Sequence, residues 1–229
     1  MNTLHHLLFG AAFANGVTES RIERRWLMAA TIAPDLDGFA FWNRELWERV
    51  HHTFGHNLFF AAGAVGLAAA FARPGRRARV AGWTLFCVFV LHFVVDLSIS
   101  ATWPMRPFWP LSPLDVNLGN FVADPAALDW WLRVPLQWTL VALALSLTVW
   151  TWRRHGRSAL ELVSPKLDSL VAGYLARILA RSRCEECGHL AGFKCASCGA
   201  ILCGVHVRLR ALEPLCTDCR ETGVTVAAS

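Results

Sequence analysis

Three long apolar runs, separated by polar or basic segments, dominate the first two thirds of the chain. They cover residues 57–72, 80–101 and 134–152. Because roughly 20 apolar residues cross the hydrocarbon core of a bilayer, these runs predict membrane-spanning helices, some of them short. Apolar stretches at residues 4–17 and 26–42 predict further helical elements. The pattern therefore predicts an all-α polytopic membrane bundle of about four to five hydrophobic helices.

Short basic segments set the expected orientation of these helices. Arginines cluster at residues 21–25 and 73–79, and again at Arg153 and Arg154. Short loops rich in Lys and Arg stay on the cytoplasmic side of a membrane, so all three clusters are expected there. The segment 103–133 is then expected on the opposite face, and the protein is expected to be multi-pass.

Composition separates a membrane part from a polar part. Of the 229 residues, 55% are hydrophobic and 17% are charged, which is too apolar for an ordinary soluble domain. Seven of the eight cysteines follow Arg153, whereas almost all the long apolar runs precede it. We therefore expect a membrane-embedded domain over residues 1–152, an amphipathic linker helix over 153–183 and a small finger over 184–229.

The excess of positive charge lies mostly in the C-terminal part. Residues 153–229 carry 11 basic and 7 acidic side chains, whereas residues 1–152 carry 11 basic and 10 acidic ones. A basic surface of this kind favours anionic membrane lipid as a partner. The sequence has no basic stripe with interleaved aromatic residues, so nucleic acid is not an expected partner.

Seven ionisable side chains fall within or beside the apolar sequence. In the orientation above, all of them lie in the outer half of the membrane or just beyond it. Ionisable groups are costly to bury there and therefore indicate a functional site. Imidazole and carboxylate together are ligands for zinc or a similar divalent ion. The seven residues are His6, Asp35, Asp37, His51, His56, His92 and Asp96.

Local spacing favours a metal site but leaves structural alternatives open. His92 and Asp96 are four apart in a helical run, so they share one face. They can hold one ion, or they can bond to each other and stabilise the helix. Asp35 and Asp37 follow Pro34, where a turn can aim both carboxylates together or form a simple Asx turn.

A second histidine cluster follows in the sequence. His52 and His56 have the i, i+4 spacing found in many zinc sites, while His51 and His56 bracket the intervening segment. Spacing does not decide whether His51 or His52 joins His56 as a ligand. A histidine at the membrane interface with no metal role is the alternative for either one.

Residues 4 to about 115 resemble the YdjM-like, LexA-regulated, membrane-bound metal-dependent hydrolases. The order and spacing of the matching pieces are specific as a set. The family is similar to the zinc-dependent phospholipase C and P1-nuclease group, which implies phosphoester cleavage, here at the bacterial inner membrane. The matching pieces are His6-Leu-Leu-Phe, Pro34-Asp35-Leu-Asp37, His51-x4-His56 followed by Leu58, and His92-x3-Asp96 followed by Trp109-Pro110.

The resemblance implies that the seven residues hold one or two catalytic divalent ions, with zinc as the expected metal. In such a site the ion activates a water molecule, and Asp35 or Asp37 positions or deprotonates that water. A site in the outer leaflet suits a membrane lipid or a lipid-linked phosphoester as substrate. The first hypothesis is therefore a membrane-bound metal-dependent hydrolase.

One departure from the family pattern favours a second hypothesis. An Arg-Gly-x-Thr-His-Ser pattern is replaced here by His52-Thr-Phe-Gly55-His56-Asn57, which lacks the Arg and the Ser. In the second hypothesis the chain is a non-catalytic membrane adaptor. The His and Asp residues then stabilise the bundle, and the C-terminal finger binds a cytoplasmic protein partner.

The C-terminal part carries four pairs of metal-ligand residues, and two residues separate the members of each pair. Such pairs saturate tetrahedral zinc, so they predict two structural ions. Disulfides are the alternative, but seven cysteines cannot all pair and the cytoplasm is reducing. The pairs are Cys184 with Cys187, Cys195 with Cys198, Cys203 with His206, and Cys216 with Cys219.

The spacing of these pairs resembles FYVE, B-box and RING-like cross-brace fingers. In a cross-brace the first and third pairs share one ion, and the second and fourth pairs share the other. A finger of this size is expected to fold only with metal. The resemblance implies one zinc held by Cys184, Cys187, Cys203 and His206, and a second held by Cys195, Cys198, Cys216 and Cys219.

The sequence of the linker between the two parts predicts a helix that begins at Ser164-Pro165. Apolar residues recur at helical spacing from Leu167 to Leu179, beside Arg177 and Arg181. Such a helix can lie along the inner membrane surface or pack on the finger. The sequence does not decide between the two.

Overall fold

The structure is a computed structural model in which most of the described chain is helical. It describes residues 3–39, 53–99, 104–179, 183–189, 191–195, 197–210 and 213–221. Its contacts divide the chain into two units. The first contains Met1–Ala14 and Trp26–Leu147, and the second contains Asn15–Arg25 and Thr148–Ser229. The linker helix and the finger expected from the sequence both fall in the second unit.

Ten α-helices follow one another along the described residues. They are α1 (Thr3–Val17), α2 (Arg21–Ile32), α3 (Leu36–Phe39), α4 (Leu58–Phe71), α5 (Arg77–Leu85), α6 (Val95–Ile99), α7 (Pro125–Trp131), α8 (Gln137–His155), α9 (Pro165–Leu179) and α10 (Thr217–Glu221). Two π-helical stretches, Phe86–Val94 and Leu132–Leu136, connect α5 to α6 and α7 to α8. Short 3-10 turns lie at Ala33–Asp35, Leu118–Phe121 and Ala159–Leu162.

Two continuous helices among the described residues are long and apolar enough to cross a membrane. They are Arg77–Ser98, which includes α5 and the π-helical stretch, and Val134–His155, which includes α8. Helix α4 is equally apolar but shorter, and it packs against α5. The three apolar runs are thus helical, and two of them are candidate spans. The larger number of four to five spans stays a prediction.

The first unit has apolar residues on its surface and polar residues in its interior. Trp138 on α8 is 69% exposed, and Leu145 on the same helix is also exposed. In contrast, His6, His56 and His92 are completely buried. Large exposed apolar surfaces are unfavourable in water and normal against lipid, so this distribution is the one that a membrane requires.

Pro34 ends helix α2 and shapes the chain beside the buried polar residues. Proline has no N–H group and its ring clashes with the preceding turn, so the α-helix gives way to a 3-10 turn and then to α3. The apolar stretch predicted at 26–42 is therefore interrupted within its described part. As a result, Asp35 and Asp37 lie at the junction of two short helical pieces.

The finger consists of two small antiparallel hairpins and α10. The strands are β1 (Phe193–Lys194), β2 (Ile201–Leu202), β3 (Arg208–Arg210) and β4 (Glu213–Leu215), and β1 pairs with β2 while β3 pairs with β4. Among its described residues, the core cluster consists of Leu202, Val207 and Leu215 with buried cysteines, and Phe193 and Ala200 pack against it. So small an apolar core is insufficient for folding without metal or another cross-link.

A buried ion pair fixes the N-terminal segment of the second unit. Nε and Nη2 of Arg24 donate to the two carboxylate oxygens of Glu161 at 2.8 and 2.6 Å, and the two side chains are only 3% and 4% exposed. Arg24 also donates to the carbonyl oxygen of Thr18. Because these segments touch, residues 15–25 and 159–162 must lie on the same side of any membrane.

Replacing Glu161 with alanine leaves the Arg24 guanidinium buried without a counter-ion. We expect the free energy of unfolding to fall by about 3–5 kcal/mol, measured by chemical denaturation in detergent micelles. The control is Asp115→Ala, which removes the exposed Arg106–Asp115 pair, where the side chains are 39% and 45% exposed. That variant should lose only about 0–1 kcal/mol. Equal losses would contradict the structural role of the buried pair.

Candidate metal centres

Four ionisable side chains from four segments meet inside the first unit. Asp35 comes from the 3-10 turn after α2 and His56 from the loop before α4. His92 comes from the π-helical stretch and Asp96 from α6. One ligand atom from each lies within 4.8 Å of all the others, and all four residues are buried. We name this set the His/Asp group.

Distances within the His/Asp group fit a tetrahedral ion. Nε2 of His92 lies 2.9 Å from Nε2 of His56, 3.4 Å from Oδ2 of Asp96 and 3.6 Å from Oδ1 of Asp35. Nε2 of His56 lies 3.5 Å from the same Asp96 oxygen and 3.9 Å from the same Asp35 oxygen. Zinc ligands at about 2.1 Å from the ion are about 3.4 Å apart in a tetrahedron. The observed separations, from 2.9 to 3.9 Å, lie on both sides of that value.

Contacts around the group determine which ring nitrogen of each histidine faces it. Nδ1 of His92 donates to the Thr31 carbonyl oxygen at 2.6 Å, so its Nε2 carries a lone pair. Nδ1 of His56 faces Oδ2 of Asp37 at 3.4 Å, which favours the same tautomer. The two Nε2 lone pairs then point at each other and at two carboxylates. A cation in their midst would relieve this unfavourable arrangement.

Asp35 supplies an oxygen with no hydrogen-bond partner in the part of the chain that the structure describes. Its Oδ2 is buried, while its Oδ1 is the oxygen nearest His56 and His92. A buried carboxylate oxygen without a donor is costly. A metal ion, or a water molecule beside one, would satisfy it. The residues present therefore fit a divalent ion.

The loop before α4 holds His56 in place. Asn57 caps α4 by accepting a hydrogen bond from the Phe60 N–H at 2.8 Å, and its amide donates to the Thr53 carbonyl oxygen at 2.8 Å. Asn57 stands where the family pattern has Ser, and both residue types cap helices well. This part of the departure from the pattern therefore preserves the local structure.

Gly55 allows the same loop to approach the 3-10 turn after α2 closely. A Cβ at this position would overlap the Pro34 carbonyl group, so no larger residue fits. The Gly55 N–H donates to Oδ2 of Asp37 at 3.1 Å. The structure thus places Asp37, a predicted ligand and catalytic residue, beside the His/Asp group, where it orients His56.

His6 also lies beside the His/Asp group. Its Nε2 is 3.0 Å from Oδ1 of Asp96, and its Nδ1 is 3.0 Å from the Leu91 carbonyl oxygen, so both ring nitrogens face oxygen atoms. Its ring stacks on His92 with 3.9 Å between the ring centroids. In this position His6 orients the Asp96 carboxylate.

Of the seven residues predicted for this site, four form the group and two border it. The seventh, His51, and the alternative His52 lie outside the described residues. The contacts of the Thr31 and Leu91 carbonyl groups with the histidines were not predicted from the sequence, because any residue type can supply a backbone acceptor. Gly55 could have been found, since a glycine directly before a predicted ligand indicates a close approach of the backbone.

The finger brings its predicted ligands together in two groups of four. The first contains Cys184, Cys187, Cys203 and His206, and the second contains Cys195, Cys198, Cys216 and Cys219. In the first group, the sulfur atoms of Cys184 and Cys203 each lie 3.5 Å from Nδ1 of His206. The first pair thus meets the third, and the second meets the fourth. Metal binding by these groups stays a prediction.

Electrostatics in each finger group lowers the pKa of some thiols and raises that of others. Burial raises the pKa of Cys184, but backbone N–H groups and the His206 ring outweigh it and lower the pKa to about 6. Burial likewise opposes, and backbone N–H groups cause, the lowering of the Cys195 pKa to about 7. Burial and the neighbouring thiols raise the pKa of Cys198 to about 12. A divalent cation would allow all the thiols of a group to ionise together.

Comparison with known proteins identifies one family. The family model described as YdjM inner membrane protein matches residues 1–162, which include the whole His/Asp group. The finger lies beyond the matched residues. Neither the curated proteins nor the solved structures contain a match to this chain.

Replacing Gly55 with alanine should displace His56 and empty the His/Asp group. Among the described residues, three groups could each hold an ion, so the metal bound by these groups should fall from three ions per chain to two. Elemental analysis of detergent-purified protein measures this change. The control is Gly63→Ala on α4, where an added Cβ meets nothing within 4 Å and metal content should not change. Full metal content in the Gly55 variant would contradict the predicted close approach.

Replacing Asp37 with asparagine tests whether Asp37 orients a ligand or is one itself. If it orients His56, metal affinity at the His/Asp group should fall by about 10- to 100-fold, measured by competition with a chelator. The reference variant His92→Ala should abolish binding there. If Asp37→Asn abolishes binding equally, Asp37 is itself a ligand.

Proposed function

The chain belongs to the YdjM inner membrane protein family, and on that premise we propose that its membrane part is a metal-dependent hydrolase. The family resemblance inferred from the sequence motifs is confirmed by the match. Hydrolysis is the proposal. The observation that carries it is the buried His/Asp group, in which one Asp35 oxygen has no hydrogen-bond partner within the described ranges of the chain.

In this proposal Asp35, His56, His92 and Asp96 hold the ion. When bound, a divalent ion would polarise a phosphoryl oxygen and a water molecule. Asp35 Oδ2 is the group that accepts the proton of that water, because it is buried and has no donor among the described residues. His6 and Asp37 keep the ligands oriented.

The residues around Asp35 support a lipid or lipid-linked phosphoester as the substrate class. Leu36 follows Asp35 directly, Phe54 and Leu58 each lie two residues from His56, and all three are exposed. Apolar side chains beside a buried polar group suit a molecule with a phosphate head and a hydrocarbon tail. A water-soluble phosphoester would gain nothing from these contacts.

A second candidate function is favoured by the completeness of the ligand set. Four protein ligands fill a tetrahedral shell, an arrangement typical of structural ions, whereas catalytic sites keep a position open. In that case the ion only stabilises the bundle. The chain is then a membrane adaptor whose finger, with two structural zinc ions, binds a cytoplasmic protein.

We further propose a multi-pass inner membrane protein with the finger in the cytoplasm. The contact between Arg24 and Glu161 supports it, because it joins the basic segment 21–25 to the segment that follows α8. Both of these segments are expected inside by the distribution of basic residues. The two candidate spans supply membrane crossings.

Replacing Asp35 with asparagine separates the two functions. If Asp35 accepts the proton, release of phosphate from phosphatidic acid or a polyprenyl diphosphate in mixed micelles should fall by about 100- to 10,000-fold. The control Asp115→Asn changes an exposed carboxylate and should retain full activity. If the wild-type protein with metal in all three groups hydrolyses neither substrate, the hydrolase proposal fails and the adaptor remains.

A further inference from the structure

Helix α9 exposes several large apolar residues, whereas Ala172 and Leu175 pack with the buried Trp152. Leu167, Leu170 and Tyr174 are between 36% and 59% exposed, and their spacing places them along one line of the helix. Val163, just before the helix, is 73% exposed. We name these four residues the α9 stripe. A helix on the surface of a soluble protein shows the opposite arrangement, with its polar face outward.

Two polar residues of α9, Asp168 and Ser169, point into the protein together with Ala172 and Leu175. Oδ1 of Asp168 accepts hydrogen bonds from the backbone N–H and the hydroxyl group of Ser158, both at 2.7 Å. The Ser169 hydroxyl donates to the Lys194 carbonyl oxygen at 2.9 Å. Of the two placements that the sequence left open, packing on the finger is therefore present, and the face that packs includes Ser169 and Gly173. The stripe remains exposed.

Strand β1 of the finger connects α9 to the end of α8. Nζ of Lys194 donates to the carbonyl oxygens of His155 and Gly156 at 3.0 Å each, where a cation is favourable at a helix C-terminus. Gly156 has a φ of 59°, and a Cβ there would overlap the Lys194 amine. A Cβ on Gly173 of α9 would approach the backbone of Phe193 to 2.7 Å. Neither Gly156 nor Gly173 therefore leaves room for a side chain beside β1.

The end of α8 marks one boundary of the membrane. Trp150 is exposed, and Arg153 and Arg154 follow it, which is the arrangement of interfacial anchors. Only nine residues separate α8 from α9. Since β1 also ties the two helices together, the α9 stripe must remain close to this boundary.

Within residues 15–25 and 148–179 of the second unit, more basic than acidic side chains are exposed. Arg21, Arg25, Arg153 and Arg154 are exposed. Two of the acidic residues are already paired, since Glu19 accepts from Arg157 and Glu161 accepts from Arg24. Such a surface complements anionic lipid headgroups.

We propose that the α9 stripe docks into the headgroup region of the anionic lipid surface beside α8, and that the zinc-loaded finger holds it there. Interfacial helices bury their apolar side chains at the boundary between headgroups and acyl chains. The finger supplies the polar contacts that the other face of α9 needs. This role is independent of whether the His/Asp group is catalytic.

Photo-crosslinking of the full-length protein tests the docking. A benzophenone amino acid replaces Leu170 or Tyr174 in nanodiscs of phosphatidylcholine and phosphatidylglycerol, and mass spectrometry identifies the adducts. Both positions should yield lipid adducts, with a lower yield in nanodiscs of phosphatidylcholine alone. The control position is Glu221, which is exposed on α10 and should yield none. Adducts to protein instead of lipid, or the absence of lipid adducts, would overturn the proposal.

A second variant tests the role of the finger. Cys195→Ser disrupts the predicted ion next to Lys194, so β1 should release α8 and α9, and the lipid adduct at Leu170 should be lost. Metal analysis checks that the ion of the His/Asp group remains. An unchanged yield of lipid adduct would show that the finger does not hold α9, and would overturn that part of the proposal.

Discussion

The first unit is organised around two histidine nitrogens that face each other at 2.9 Å in its interior. Both carry lone pairs if their other ring nitrogens bear the protons, and two carboxylates add further negative charge. A low-dielectric interior makes such an arrangement unfavourable unless a cation compensates it. The interruption of α2 at Pro34 and the close approach of Gly55 both serve to bring these groups together.

The sequence alone predicts the members of this centre better than their roles. His56, His92, Asp35 and Asp96 could be found because ionisable residues are rare in apolar sequence. The sequence could not show that these four residues form the group while His6 and Asp37 only border it. That distinction depends on which ring nitrogen each neighbouring carbonyl or carboxylate engages. The helical runs were equally readable from hydrophobicity, whereas the burial of Arg24 against Glu161 joins distant segments and leaves no local pattern.

The finger illustrates the opposite case, in which local spacing carries most of the information. Ligand pairs two residues apart specify tight turns, and the resemblance to cross-brace fingers gives the order in which the pairs meet. The orientation of α9 was not readable in the same way. Its apolar periodicity predicts an amphipathic helix, but only the contacts of Asp168 and Ser169 show that the side with these polar residues is covered while Leu167, Leu170 and Tyr174 stay exposed.

The His/Asp group joins three distant parts of the chain, namely the turn of Asp35, the loop of His56 and the single helix that carries both His92 and Asp96, and this has a consequence for assembly. Helices in lipid gain little from the hydrophobic effect when they associate, so packing and polar contacts must hold them together. An ion bound to all three parts would act as a cross-link within the bilayer. Metal availability would then govern whether the helices of this unit assemble at all, whatever chemistry the centre performs afterwards.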